Sequence, residues 1–301
     1  MRTVRLGFPV RSEGLLSEDP SGRSVLGASR AAIQAHYDIG DDFYHLWLDP
    51  SMTYSCALWH EGDSLQLAQE RKLDFHAEQA CVRGARRVLD IGCGWGSLLT
   101  RLIQVHQVSE ATGLTLSDSQ ADFVKRLSVP GTHVAVESWT EHRPATQYDA
   151  IVSIGAIEHF ARPETSSDER VEIYRRFFQN CRTWLAPGGS MSIQTSAYEK
   201  GRFIQGAIAS IFPESDLPRL LELVAALEGL FEIVSIRNDP KDYATTCRAW
   251  LARLRENSER ASALVGDQIV RHYEAFLDAA ARGFDAGVFG LLRLRLRRGD
   301  V

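Results

Sequence analysis

Three glycines at alternate positions, in Asp90-Ile-Gly92-Cys-Gly94-Trp-Gly96, constrain this chain more tightly than anything else in it. They follow a short apolar run, Arg87-Val-Leu-Asp-Ile91, and precede a stretch over 97–106 that reads as helix. Glycine lacks a Cβ and accepts positive φ, so a turn of this kind lets the backbone approach a nucleotide-like ligand closely. The strand-to-helix context gives the motif its meaning. On pattern alone, a dinucleotide site, an S-adenosylmethionine site and a purely structural turn all stay open.

The same alternation continues along the chain. Strands are predicted over 111–116, 132–136, 149–154 and 190–196, with helices over 117–127 and from Ser166 onward. Ser166 has Glu169 three positions later, the pattern of a capping box. Val171, Tyr174, Phe178, Cys181 and Leu185 then fall on one face. Pro187-Gly-Gly189 ends that helix. Strand and helix in alternation with short glycine-containing joints predict an α/β fold with an open, mainly parallel, Rossmann-like sheet. Upstream, 64–81 reads as an amphipathic helix, and the aromatic-rich stretch 34–50 adds to a helical N-terminal segment. The first 25 residues, with Gly14, Pro20 and Gly22, read as a flexible arm before a single domain over 26–301. Residues 197–230 contain Phe212-Pro213 and Leu217-Pro218 and suit a cap over an acceptor pocket. After a strand over 231–236 and helix over 244–281, Leu292-Arg-Leu-Arg-Leu-Arg297 alternates strictly. Its arginines, with Arg298, read as an exposed strand face that discourages aggregation rather than as a membrane contact.

Composition narrows the class without naming a reaction. At 301 residues and 44% hydrophobic, the chain can bury a sizeable core, and no run approaches a membrane span. The five cysteines are scattered without a C-x-x-C pair, so neither a disulfide framework nor a zinc module is expected. Free thiols in the cytoplasm, and no metal, are the expectation. A net charge of -5 argues against nucleic acid as a partner.

Several further motifs resemble one family in order and spacing. The segment His36-Tyr-Asp-Ile-Gly-Asp-Asp-Phe-Tyr-His-Leu-Trp-Leu-Asp-Pro-Ser-Met-Thr-Tyr-Ser-Cys56 resembles the leading segment of the cyclopropane-fatty-acyl-phospholipid synthases, a family that includes the mycolic acid methyltransferases. Val88 to Gly96, Gly113-Leu-Thr-Leu-Ser-Asp-Ser-Gln120 and Ile151-Val-Ser-Ile-Gly-Ala-Ile-Glu-His-Phe160 resemble its loop, second-strand and catalytic-strand motifs. The resemblance implies the class I S-adenosylmethionine-dependent methyltransferase fold. It also implies that Tyr54 and Ser55 contact the cofactor and that Gly92 and Gly94 line its amino acid part. Thr115, Leu116 and Gln120 would surround the ribose, and Ser138 and Trp139 the adenine. Thr115 stands where an NAD site generally wants a carboxylate, which lowers the case for NAD.

In the cyclopropane synthases the nucleophile is a carbon–carbon double bond, and bicarbonate serves as the base. By resemblance Cys56, Glu158 and Tyr243 match the residues that hold it, and His159 joins them as a catalytic candidate. Gln194 stands at an expected histidine and Ser196 at an expected isoleucine; both, with Tyr198, are placed in the acceptor pocket. Gln is neutral and supplies no positive charge for an anion, so the sequence argues against bicarbonate. It leans towards methylation of a small metabolite at an electron-rich carbon or an amine, with cyclopropanation of unsaturated lipid acyl chains as the alternative. The residues' other readings are plain: Cys56 as a buried thiol, Trp139 and Tyr243 as packing, His159 as a structural hydrogen-bonder. Glu158 is different, because an unpaired charge ending an apolar strand is costly without a role. The oligomeric state is not legible.

Overall fold

Strand-forming apolar runs and the helices between them build a seven-stranded sheet in the computed structural model, which describes residues 27–37, 39–201, 211 and 214–299. The expected arm over 1–25 lies outside the described residues, as do 202–210 and 212–213 of the expected cap, including Phe212-Pro213. Helices α1 (Arg30–Tyr37), α2 (Asp41–His45) and α3 (Leu65–Gln79) come first. Strand β1 (Arg87–Ile91), α4 (Ser97–Gln104), β2 (Glu110–Thr115), α5 (Asp118–Leu127), β3 (Thr132–Val136) and β4 (Tyr148–Ile154) follow. Then come α6 (Ser167–Trp184), β5 (Leu185–Tyr198), α7 (Leu220–Leu227), β6 (Glu232–Asn238), α8 (Pro240–Glu256), α9 (Ser258–Val265), α10 (Asp267–Asp285) and β7 (Phe289–Arg297).

The strand order is β3-β2-β1-β4-β5-β7-β6. Pairings from β3 through β5 are parallel, whereas β7 runs antiparallel to both β5 and β6. The reversal of order between β1 and β4 puts a crevice at the carboxyl ends of these strands, where ligands of open α/β sheets bind. Local chemistry sets the boundaries. Ser64, Ser117 and Ser166 each accept a backbone N–H at the start of α3, α5 and α6, and the Ser166–Glu169 capping box forms as the spacing predicts. One face of the sheet packs Leu89, Ile151, Met191, Ile193, Leu292, Leu294 and Leu296 against Tyr174, Phe177, Phe178 and Leu223 from α6 and α7.

The arginine alternation of β7 needs correcting. The strand is not at the sheet edge; it lies between β5 and β6. Arg293 is 1% exposed, and only Arg297 is in open solvent. Helix α3 lies over this face: Phe75 sits 6.0 Å from the Arg293 guanidinium carbon, and Arg295 Nη2 donates to Cys81 Sγ at 3.2 Å. The polar face of β7 is thus interior, and its buried cation is held by hydrogen bonds and by ion pairs with Asp239 and Asp242.

Candidate active site

The segment between α2 and α3 carries Tyr54 to Ala57 and is fixed from three sides. Asp49 accepts from the backbone N–H of Ser51 and Thr53, at 2.9 and 3.0 Å. From α3, Gln69 Nε2 donates to Ser55 O at 2.8 Å, and from α8 Thr246 Oγ1 accepts from Ala57 N at 3.1 Å. Tyr54 packs on Tyr44, Trp47 and Trp250 with ring centroids 5.2 to 5.5 Å apart. The aromatic density of the leading segment becomes this cluster.

A cavity of about 990 Å³ opens at the carboxyl ends of β1, β2 and β4. Every residue expected to hold the cofactor lines it: Tyr54, Ser55, Gly92, Gly94, Thr115, Leu116, Gln120, Ser138 and Trp139. Gly92 has φ +85°, and a Cβ there would sit 2.7 Å from the Ala156 Cβ; Gly96 has φ +81° and a Cβ would sit 2.7 Å from Val124 Cγ2. These two positions need glycine both for conformation and for space. Thr115 Oγ1 donates to Gln120 Oε1 at 2.6 Å, joining the end of β2 to the first turn of α5.

Two buried charged groups at this cavity are given no role by the sequence reading, although Asp90 opens its glycine motif. Lys72 of α3 is fully buried and donates from Nζ to Ser55 Oγ at 2.7 Å. Asp90, next to last in β1, is 3% exposed. Burial pulls Lys72 down to about 7, while neighbouring acids pull the other way; burial pushes Asp90 up to about 7, opposed by Lys72. The signal for Lys72 was present: it shares the inward face of α3 with Leu65, Ala68 and His76, an unusual place for an ammonium group.

A second, smaller cavity of about 110 Å³ adjoins the first; Tyr54, Ser55, Gly155 and His159 line both. Its remaining wall is mostly apolar and aromatic, from Tyr243 and Trp250 of α8, Phe276 and Phe284 of α10, and Phe289 of β7. Glu158, His159 and Tyr243, three of the expected catalytic residues, line it, and so does Ser196. Glu158 sits in a 3-10 turn just after β4. Its Oε1 accepts from Ser196 N at 2.7 Å, and its Oε2 is buried with no hydrogen-bond partner. Burial raises Glu158 to about 7, partly offset by the Ser196 N–H. Burial lowers His159 to about 4, so its ring is neutral near pH 7, bonded through Nδ1 to Ser215 Oγ at 2.6 Å.

The other three residues stand behind this wall. Cys56, Gln194 and Tyr198 line neither cavity. Burial holds the Cys56 thiol at about 12, which leaves it un-ionised and without nucleophilic character. Gln194 is occupied at both ends: Oε1 accepts from Arg293 Nε at 2.9 Å and lies 3.3 Å from His76 Nε2, while Nε2 donates to Cys56 O at 3.2 Å. Tyr198 donates to Asp216. The cation absent from the Gln194 position therefore lies one strand away, in Arg293, turned from the cavity.

Among known proteins, residues 26–294 match the family model described as mycolic acid cyclopropane synthetase. The chain belongs to that family. It is 32% identical over 280 residues to cyclopropane mycolic acid synthase 1 of Mycobacterium tuberculosis, covering 85% of this chain and 93% of that one. With hydroxymycolate synthase MmaA4 of the same organism it shares 30% identity over 267 residues, 81% of this chain and 85% of the other. The solved structure of mycolic acid cyclopropane synthase CmaA1 complexed with SAH and CTAB superposes with a TM-score of 0.81 at 30% identity, over 91% of this chain and 99% of that one. The fold is that of the class I S-adenosylmethionine-dependent methyltransferases, and the protein is an enzyme that transfers one-carbon groups from S-adenosylmethionine. No helix among the described residues is long and apolar enough to cross a membrane.

Proposed function

We propose that this enzyme transfers a methyl group to a carbon–carbon double bond in an unsaturated acyl chain and closes a cyclopropane ring there. The observation that carries the reading is the second cavity, an aromatic and aliphatic chamber holding one carboxylate and opening onto the cofactor cavity. The sequence favoured a small metabolite because Gln194 is neutral. What now favours the acyl alternative is that the relatives are named for mycolic acids.

S-adenosylmethionine, when bound, supplies an electrophilic methyl on a sulfonium. Gly92 and Gly94 would hold its amino acid part, Thr115, Leu116 and Gln120 its ribose, and Ser138 and Trp139 its adenine; the cradle under Gly92 is the fit that supports this. Tyr54, Ser55, Gly155 and His159, which line both cavities, would separate the bound cofactor from the acceptor. His159 is neutral there and adds no competing positive charge. The chamber lets an alkene enter without desolvating a charge and excludes water from a reactive cation. Positive charge then develops on the acceptor only at transfer, where the aromatic side chains of Tyr54, Tyr243, Trp250 and Phe284, which line the chamber, would stabilise it.

Bicarbonate does not fit this arrangement. Of the residues at the positions the resemblance assigns to it, Gln194 has its amide N–H engaged by the Cys56 carbonyl and Ser196 its backbone N–H by Glu158, which leaves Glu158 and Tyr243 facing the chamber without a cation among its described lining residues. No step is therefore assigned to it. Incubation with methyl-labelled S-adenosylmethionine, offering vesicles of monounsaturated phospholipid beside an extract of water-soluble metabolites, tests the acceptor. Label in the acyl chains supports the reading, and label confined to the water-soluble fraction rejects it.

A further inference from the structure

Ring closure needs a base, and the chamber contains one carboxylate whose surroundings distinguish its two oxygens. Glu158 Oε1 is fixed by the Ser196 N–H at 2.7 Å, which sets the orientation of the group. Oε2 is buried with no hydrogen-bond partner in bonding geometry among the described residues, while the Thr195 and Ser196 hydroxyls lie near the carboxylate and partly offset the effect of burial. An oxygen withdrawn from water without a donor is poorly stabilised as an anion and gains by taking a proton.

Of the groups that would hold a separate anionic base, the neighbouring cations and the Gln194 amide are turned elsewhere. Gln194 is locked between Arg293, His76 and Cys56 O. Arg293 donates to Gln194 Oε1, to Ala57 O at 2.9 Å and to Asp239 and Asp242. Lys72 is directed at Ser55 Oγ, on the cofactor side. An anion placed in the chamber would face Glu158, a like charge when ionised, with these cations already bonded to other groups.

We infer that Glu158 itself removes the proton in ring closure, and that the reaction does not depend on bicarbonate. This rests on the acceptor proposed above. Once the methyl carbon has bonded to one alkene carbon, the positive charge lies on its neighbour. A C–H bond of the new methyl breaks, its proton goes to Glu158 Oε2, and the electron pair forms the carbon–carbon bond that completes the ring. The protonated carboxyl later returns that proton to solvent. With burial raising Glu158 to about 7, the group is matched to accept and release a proton near neutral pH.

Turnover on monounsaturated phospholipid vesicles, in buffer stripped of carbon dioxide and again with added bicarbonate, tests this. The expected result is equal turnover in both. Glu158→Gln is expected to lose about 10²- to 10⁴-fold in turnover while retaining affinity for S-adenosylhomocysteine. Collapse of wild-type activity in stripped buffer with recovery on adding bicarbonate overturns the inference, and so does near-normal turnover by Glu158→Gln. A titration of ¹³C-bicarbonate into the S-adenosylhomocysteine complex, followed by carbon NMR, is independent of the acceptor. Absence of binding supports the inference, and binding that Glu158→Gln abolishes overturns it. Should the vesicles yield no product, the acceptor assignment falls, and this titration still decides the role of bicarbonate.

Discussion

The two cavities meet at Tyr54, Ser55, Gly155 and His159, yet they are assembled in opposite ways. About half of the cofactor cavity's wall comes from short stretches at successive strand ends: Asp90 to Trp95 at the end of β1, Leu114 to Leu116 at the end of β2, Glu137 to Glu141 after β3, and Ile154 to Ala156 at the end of β4. Each stretch is local, and strand and turn chemistry dictates it. The chamber instead draws single side chains from the leading segment, α8, α10 and β7, between Tyr54 and Phe289. Motifs can encode the first cavity; only tertiary packing assembles the second. A change in one should therefore leave the other's readout intact.

Glu158→Gln should separate the two most strongly. Turnover is expected to fall by about 10²- to 10⁴-fold, with S-adenosylhomocysteine affinity by calorimetry close to wild type. Arg293→Leu removes a buried cation from behind the chamber and leaves Gln194 Oε1, Asp239 and Asp242 without it. It should cost about 3 kcal/mol in urea unfolding, because a broken buried pair strands its partners. Gly92→Val acts on the cofactor side. It forces a β-branched residue to φ +85° with its Cβ against Ala156, which should weaken S-adenosylhomocysteine by about 1–3 kcal/mol. Phe284→Leu thins the π wall of the chamber and should lower turnover by about 0.5–2 kcal/mol in barrier, with cofactor affinity unchanged. The smallest effect is that of pH. Glu158, raised to about 7, accepts a proton only when ionised, so turnover should rise as pH climbs through that value and fall below it. A flat profile there would break the link between chamber and proton transfer.

How much was legible follows the same division. Strand β1 and the turn to Gly96 could be read because glycine at positive φ is a local requirement, and Ser166 with Glu169 because capping is local too. Thr115 and Gln120, five residues apart, are brought together by one turn. Arg293 was misread for a physical reason. Leu-Arg alternation is identical for a strand facing water and for one whose polar face lies under a helix, and only the packing of α3 decides which. Gln194 was placed in the acceptor pocket by analogy of position; its amide is drawn away by Arg293, which is 99 residues distant in sequence. Lys72 belongs to no motif, because its burial depends on segments distant in the sequence, and Asp90, though it opens the glycine motif, shows its burial only in the packed sheet.

The proposed function has the chamber present an alkene, rather than an amine or a small metabolite, to the methyl group. Its most direct test is NMR of the product formed from ¹³C-methyl S-adenosylmethionine and monounsaturated phospholipid vesicles. On that reading, loss of the olefinic protons and label in a high-field ring methylene are expected. A labelled methyl on nitrogen, or on an acyl chain that has not closed to a ring, would contradict it.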